Sequence, residues 1–276
     1  MEHCVKTTEP WGRVLWLTDG NVQVGVALDF GIRVVHLSCV GMENLFYVQP
    51  ADGSDGVTRD NGWRVHGGHR FWVAPESEAN YTPDNDPVEY TVSDGVAWVT
   101  QKPDAQLSAR KSVGISFCDG VVRIEHKIEN LAKEAKNWAL WGINTLAGGG
   151  VAEIPFPTGG DGYTPCRTVA LWKNTNLSDP RLCFAQESLT VRHSDAAGSC
   201  KVGLGLTDGT AVLHSKGQKL ELAFAVDPTK EYADYGSNFE VFMNEYFLEL
   251  ETLGPKQWLQ PGQTATHVET WKIQPE

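Results

Sequence analysis

Over most of its length this chain alternates apolar and polar residues with a period of two, and segments patterned in that way bury one face only as strands of a sheet. Val22, Val24, Val26 and Leu28 set the pattern; Leu107, Ala109, Val113 and Ile115 repeat it, followed by Val122, Ile124 and Ile128. Further strands are predicted over 202–206, 220–226, 239–243 and 265–273. Turn signals separate them: Asp19-Gly20, Asp119-Gly120, Asp208-Gly209 and Pro261-Gly262. Helical periodicity is never sustained. The pattern therefore predicts an all-β fold, a sandwich of two large antiparallel sheets. At 276 residues the chain is long, but β-sandwiches reach this length as one domain, and residues 1–276 are read as one. The apolar share of 41%, with ten Trp and ten Phe, is enough to fill a single large core.

Two stretches interrupt the rhythm, residues 49–60 and 75–87, both rich in Gly, Pro, Asp or Asn, and both are expected to be long loops of the kind that carry function. A formal net charge of −12 without a Lys/Arg stripe excludes nucleic acid as partner, because phosphate binding needs a clustered basic footprint. The first residues carry Glu2, Lys6, Glu9 and Arg13 with no uninterrupted apolar run, so neither a signal core nor a membrane span is expected, and a cytoplasmic location is. Cys4, Cys39, Cys118, Cys166, Cys183 and Cys200 lie far apart, with no zinc-type spacing, and read as free thiols. Neither metal-ligand spacing nor a phosphate loop, nucleotide fingerprint or nucleophile elbow stands out, so no metal or cofactor is expected.

Chemistry concentrates in three segments. Residues 63–72 place Trp63, Arg64, His66, His69, Arg70 and Trp72 around Gly67-Gly68. Imidazole exchanges protons near neutrality, guanidinium offers a planar donor fork and indole a flat apolar surface. A pyranose, with hydroxyls at its rim and C–H patches on its faces, makes those demands. His66 and Arg70 share strand parity, whereas His69 has the opposite one. In the second segment, Glu249 and Glu251 share a face opposite Leu248 and Leu250. Two neighbouring carboxylates repel, so they are best tolerated beside a cation or sugar hydroxyls, and the repulsion raises one pKa towards a useful value. The third segment, 137–150, offers Trp141 as a stacking platform and Asn144 as a hydroxyl-binding amide.

At these residues the sequence resembles the galactose-mutarotase superfamily. His66-Gly67-Gly68 is similar to the His-Gly-Gly motif of aldose 1-epimerases, and Leu250-Glu251-Thr252 to their late Leu-Glu-Thr motif, whose Glu is the catalytic base; residues 144–148 resemble their Asn-Leu-Ala-Gly stretch with one residue inserted. The likeness is nearest to a mutarotase-like branch with a G-G-H-R-x-W-x-A-P-E motif, here residues 67–76, and an E-L-E-T-L-G-P motif, here 249–255. The resemblance implies a two-sheet β-sandwich with a sugar on its concave face and a reaction that needs no cofactor. One position departs: where the epimerases carry their general-acid His, this chain has Leu140 and Trp141.

On this reading Glu251 takes the anomeric proton while His66 or His69 protonates the ring oxygen. Arg70 and Arg64, Glu249 and Asn144 bind oxygens, and Trp72 or Trp141 stacks on the ring. The alternatives are a lyase or glycoside-cleaving enzyme on the same scaffold, with Arg64 and Arg70 gripping a carboxylate, and a carbohydrate-binding module without catalysis, consistent with the missing acid.

Overall fold

The computed structural model describes residues 1–54 and 57–276; residues 55 and 56, inside the predicted 49–60 loop, lie outside the described residues. The strands in chain order begin with β1 (Glu2–Thr8), β2 (Gly12–Thr18), β3 (Val22–Ala27), β4 (Val34–Cys39) and β5 (Gly68–Ala74). They continue with β6 (Glu89–Ser93), β7 (Val96–Thr100), β8 (Ala109–Cys118), β9 (Val121–Asn130), β10 (Lys136–Ala147) and β11 (Val151–Pro155). Next come β12 (Thr168–Leu171), β13 (Leu182–Phe184), β14 (Ser188–Arg192), β15 (Cys200–Gly205) and β16 (Thr210–Ser215). The last are β17 (Gln218–Phe224), β18 (Phe239–Met243), β19 (Phe247–Leu253), β20 (Gln257–Leu259) and β21 (Thr264–Pro275).

These strands form two antiparallel sheets, the architecture that the period-two alternation predicts. The first runs β1-β2-β3-β4-β5-β10-β19-β18-β15-β12, with β20 also paired to β10; the second runs β13-β14-β11-β16-β17-β21-β9-β8-β7-β6. Turn chemistry sets the hairpins where the sequence signals them. Asp119 (φ 51°) and Gly120 (φ 76°) both take the left-handed conformation that a tight two-residue turn between twisted strands requires, and they join β8 to β9. The 75–87 stretch holds one short 3₁₀ turn, Glu78–Tyr81, opened by Ser77 and Asn80 in a capping box.

The main core lies between the sheets. Leu248 and Leu250 of β19, Val241 of β18 and Leu140 of β10 meet Ile124 of β9 and Trp271 of β21 in one apolar cluster. The alternate residues of the first sheet face away from the second sheet. There Trp72, Trp141, Ile143, Phe247 and Leu253 form a second buried cluster with Trp63 and Val65 from the preceding loop. A sheet buried on both faces needs a cover on its outer side, and residues 57–65, the 76–81 turn and the 172–174 segment contribute to it. Beneath that cover is a cavity.

Candidate functional site

The cavity, about 400 Å³, sits over the centre of the first sheet. Three strands supply its floor by strict alternation: Arg70 and Trp72 from β5, Trp141 and Ile143 from β10, and Phe247, Glu249 and Glu251 from β19. The registers Ile143↔Arg70 and Ile143↔Glu251 bring these residues level across the sheet. Lys201 of β15 and Phe242 of β18 extend the floor, and Trp63, Tyr81 and Trp172 stand at the walls.

Each glutamate has a separate cation. Arg70 Nη1 donates to Glu249 Oε1 at 2.8 Å and to Thr145 Oγ1 at 2.8 Å, and Thr145 in turn donates to Glu249 at 2.7 Å. The remaining face of Arg70 lies over Trp72, 4.7 Å from the ring centre, and its Nε has no hydrogen-bond partner among the described residues. Glu251, 1% exposed, accepts from Trp141 Nε1 at 2.9 Å and from Lys201 Nζ at 3.2 Å. Lys201 also lies 2.7 Å from Glu240 of β18 and within 4.6 and 5.0 Å of the Trp141 and Trp172 ring centres. The ammonium is thus held by two acids and two indole faces, a cation–π arrangement strengthened by exclusion of water.

Burial dominates the proton affinities here. It raises the Glu251 carboxyl above the usual range, against the pull of Lys201 and with the help of Glu249. It pushes Glu240 up to about 8, again despite Lys201. For Lys201 burial works against the charge, but Glu251 and Glu240 outweigh it and hold the pKa above its ordinary value. Near neutrality the trio therefore carries one firmly held ammonium and fewer than two negative charges, so a proton can be exchanged at Glu251 or Glu240.

Of the residues singled out from sequence, Glu249, Glu251, Arg70, Trp72 and Trp141 meet in this cavity. His66, His69, Asn144 and Arg64 are not among the residues that line it. His66 stacks on Phe30 at 4.3 Å and its Nε2 lies 3.0 Å from Asn85 Oδ1. Strand parity cannot be carried back to it from Arg70, because His66, Gly67 and Gly68 all have positive φ (55°, 85° and 73°) and turn the chain at the very start of β5. Burial, with Arg33 adding, lowers its pKa to about 4. His69 and Asn144 have the other parity and point between the sheets, where His69 Nδ1 and Asn144 Oδ1 are 3.0 Å apart. Arg64 binds the loop instead, donating to Gln49 Oε1 at 3.2 Å and to the Pro50 carbonyl at 2.9 Å. Trp141 and Asn144, three positions apart on one strand, necessarily face opposite ways.

Lys201, Glu240, Tyr81 and Trp172 were not singled out by the sequence reading. Lys201 stands alone in a short strand and belongs to no motif; only the strand order, which sets β15 beside β18 and β18 beside β19, brings it to Glu251. The one advance sign was that a pair of interior carboxylates requires cations.

The fold has well-defined counterparts. A galactose mutarotase-like protein from Lactobacillus casei superposes with a TM-score of 0.64 at 13% identity, over 95% of this chain and 100% of that one. Slr1438 from Synechocystis sp. gives 0.61 at 13% identity over the whole of both chains. A galactose mutarotase related enzyme from Lactobacillus acidophilus gives 0.59 at 9% identity, over 95% and 97%. No family model and no curated protein matches the sequence. The two-sheet sandwich of this chain is thus the fold of galactose mutarotase-like proteins, recognised from its geometry.

Proposed function

We propose that the cavity over β5, β10 and β19 binds a monosaccharide and opens and recloses its ring, as an aldose 1-epimerase does. The observation that carries this reading is the Glu251–Lys201 pair, an acid–base couple one hydrogen bond apart at the floor of a hollow walled by indoles. The anomeric hydroxyl and the ring oxygen of an aldose are both bonded to C1, so a base and an acid separated by one hydrogen bond can reach both. Glu251 takes the hydroxyl proton and returns it to the ring oxygen, on which the Lys201 ammonium steadies the developing negative charge, and the C1–O bond opens to the aldehyde. Rotation about the C1–C2 bond and the reverse transfers close the other anomer. The Arg70 guanidinium at the cavity floor binds a neighbouring hydroxyl, Glu249 accepts from another, and Trp72 and Trp141 cover the apolar face of the ring. The names of the structural counterparts fit the same chemistry.

The lining has no imidazole among the described residues, and this favours a second reading in which the cavity binds a sugar without turnover. One experiment separates the two. NMR of a freshly dissolved single anomer, run over a panel of aldoses, should show equilibration accelerated by the wild-type chain. In Glu251→Gln or Lys201→Met the acceleration should fall about 10²–10⁴-fold, the contribution of one positioned acid or base. Tight calorimetric binding with no acceleration establishes the binder instead, and neither signal overturns both.

A further inference from the structure

Behind the cavity floor, on the inner face of the same strands, lies a polar cluster that the proposed reaction does not use. His69 of β5, His126 of β9 and Glu269 of β21 converge there from both sheets, and one ligand atom from each lies within 4.8 Å of the others. His126 Nδ1 is 3.1 Å from the carbonyl oxygen of His267, which can only accept, so this nitrogen carries the proton and Nε2 is a lone pair. His69 Nδ1 is 3.0 Å from Asn144 Oδ1, whose amide nitrogen is committed to the Leu250 carbonyl and Glu269 Oε1, both at 3.2 Å. The same reasoning makes His69 Nδ1 a donor and its Nε2 a lone pair. The two Nε2 atoms face each other at 2.8 Å. Two imidazole lone pairs do not approach so closely without a cation between them.

A proton would supply that cation by making one ring an imidazolium, with Glu269 Oε1 3.4 Å from His69 Nδ1 as its counter-charge, but it would bridge only the two nitrogens, whereas all three residues bring a ligand atom to within 4.8 Å of one another. A metal ion meets the geometry better. Both rings are anchored through the nitrogen that would not ligate, as metal-binding histidines are. Glu269 is likewise oriented, accepting from Thr252 Oγ1 at 2.7 Å, Trp271 Nε1 at 2.9 Å and Asn144 Nδ2. Gly142 of β10 packs directly against the cluster: a Cβ there would lie 3.0 Å from Glu269 Oε2 and 3.2 Å from His126 Nε2, so a side chain at this position would press on both. With zinc–nitrogen bonds of about 2.0–2.1 Å, the rings need part by roughly half an ångström.

We infer that His69, His126 and Glu269 form a site for one divalent transition-metal ion of the zinc type, pinning the two sheets together beneath the cavity. Sequence spacing could not show it, because the ligands come from three strands separated by 57 and 143 positions. This inference is independent of the sugar chemistry.

The test uses the full chain. Metal analysis of the purified protein should find one equivalent of zinc or a similar ion. Removing it with a chelator should lower the melting temperature, and Zn²⁺ should restore it. Co²⁺ in its place should give the intense visible bands of a tetrahedral nitrogen–oxygen site. Asn144→Ala, which leaves all three ligands but removes the partner of His69 Nδ1, should weaken Zn²⁺ binding about 10–100-fold. A chain that purifies without metal and melts at the same temperature with chelator, Zn²⁺ or Co²⁺ overturns the site. So does a stoichiometric ion held equally tightly by Glu269→Gln, since it must then lie elsewhere.

Discussion

Removing the Lys201 ammonium leaves Glu251 and Glu240, both almost fully buried, without the cation they share. Stranding a buried partner costs about 3–5 kcal/mol, so Lys201→Met should lower the unfolding free energy from urea titrations by that margin; a change near zero would mean the carboxyls are solvated and the trio is not built as described. Glu240 adds a pH dependence of definite sign. Its pKa rises from the ordinary 4.5 to about 8 on folding, so between those values the native state binds more protons than the unfolded one and stability falls as pH rises. Glu240→Gln removes that loss. The variant should gain on wild type from about pH 5 to about pH 8 and hold a constant margin above, by up to a few kcal/mol in denaturant titrations; parallel pH profiles would count against the protonated Glu240. The residue scale also shows what a linear sequence conceals. Glu249 and Glu251 were legible because two acids alternating with two leucines need only one strand to be understood, whereas Lys201 acquires its meaning from two intervening strand pairings.

At the scale of elements, the Gly67-Gly68 pair changes its meaning between sequence and structure. In the sequence it allows close approach by a backbone or a ligand, and in the fold it is backbone that makes it: a Cβ on Gly67 would stand 2.0 Å from the Tyr47 carbonyl oxygen, and one on Gly68 would stand 2.2 Å from that of Val34. Both residues also have positive φ, where an L side chain is strained. Gly68→Ala should therefore pry β5 from β4 and destabilise the fold, whereas an ordinary Gly→Ala exchange inside a helix or strand gains about 0.5–1 kcal/mol. Loss of hydrogen-exchange protection confined first to β4 and β5 would be the sign, and unchanged protection there would refute the packing role. His66 follows from the same feature. Its imidazole is aimed by the turn and not by the strand, so the parity rule that works for Arg70 and Trp72 has no hold on it. His69 obeys the rule, and the rule sends it inward.

For the whole molecule, the alternation pattern was sufficient to predict the layer architecture, since it demands one shared interior, but it leaves strand order open. That order decides the site: β5, β10 and β19 are neighbours although residues 70 and 251 are far apart in sequence, and each strand turns one parity to the cavity and the other to the second sheet. A sandwich joined in this way should unfold as one unit, because a single apolar cluster runs from Leu15 near the start to Ile273 near the end and draws on both sheets. Phe46 and Trp271 meet across that interior edge to face, with ring centres 5.6 Å apart. Phe46→Ala opens a cavity where neither sheet can collapse alone and should cost about 3–5 kcal/mol. If the core is shared, hydrogen exchange under mild denaturant should show peptides of β10 in the first sheet and β9 in the second losing the same protection free energy. If only one sheet responds, the chain is two weakly coupled layers, and the cavity on the first sheet owes its shape to that sheet and its loops alone.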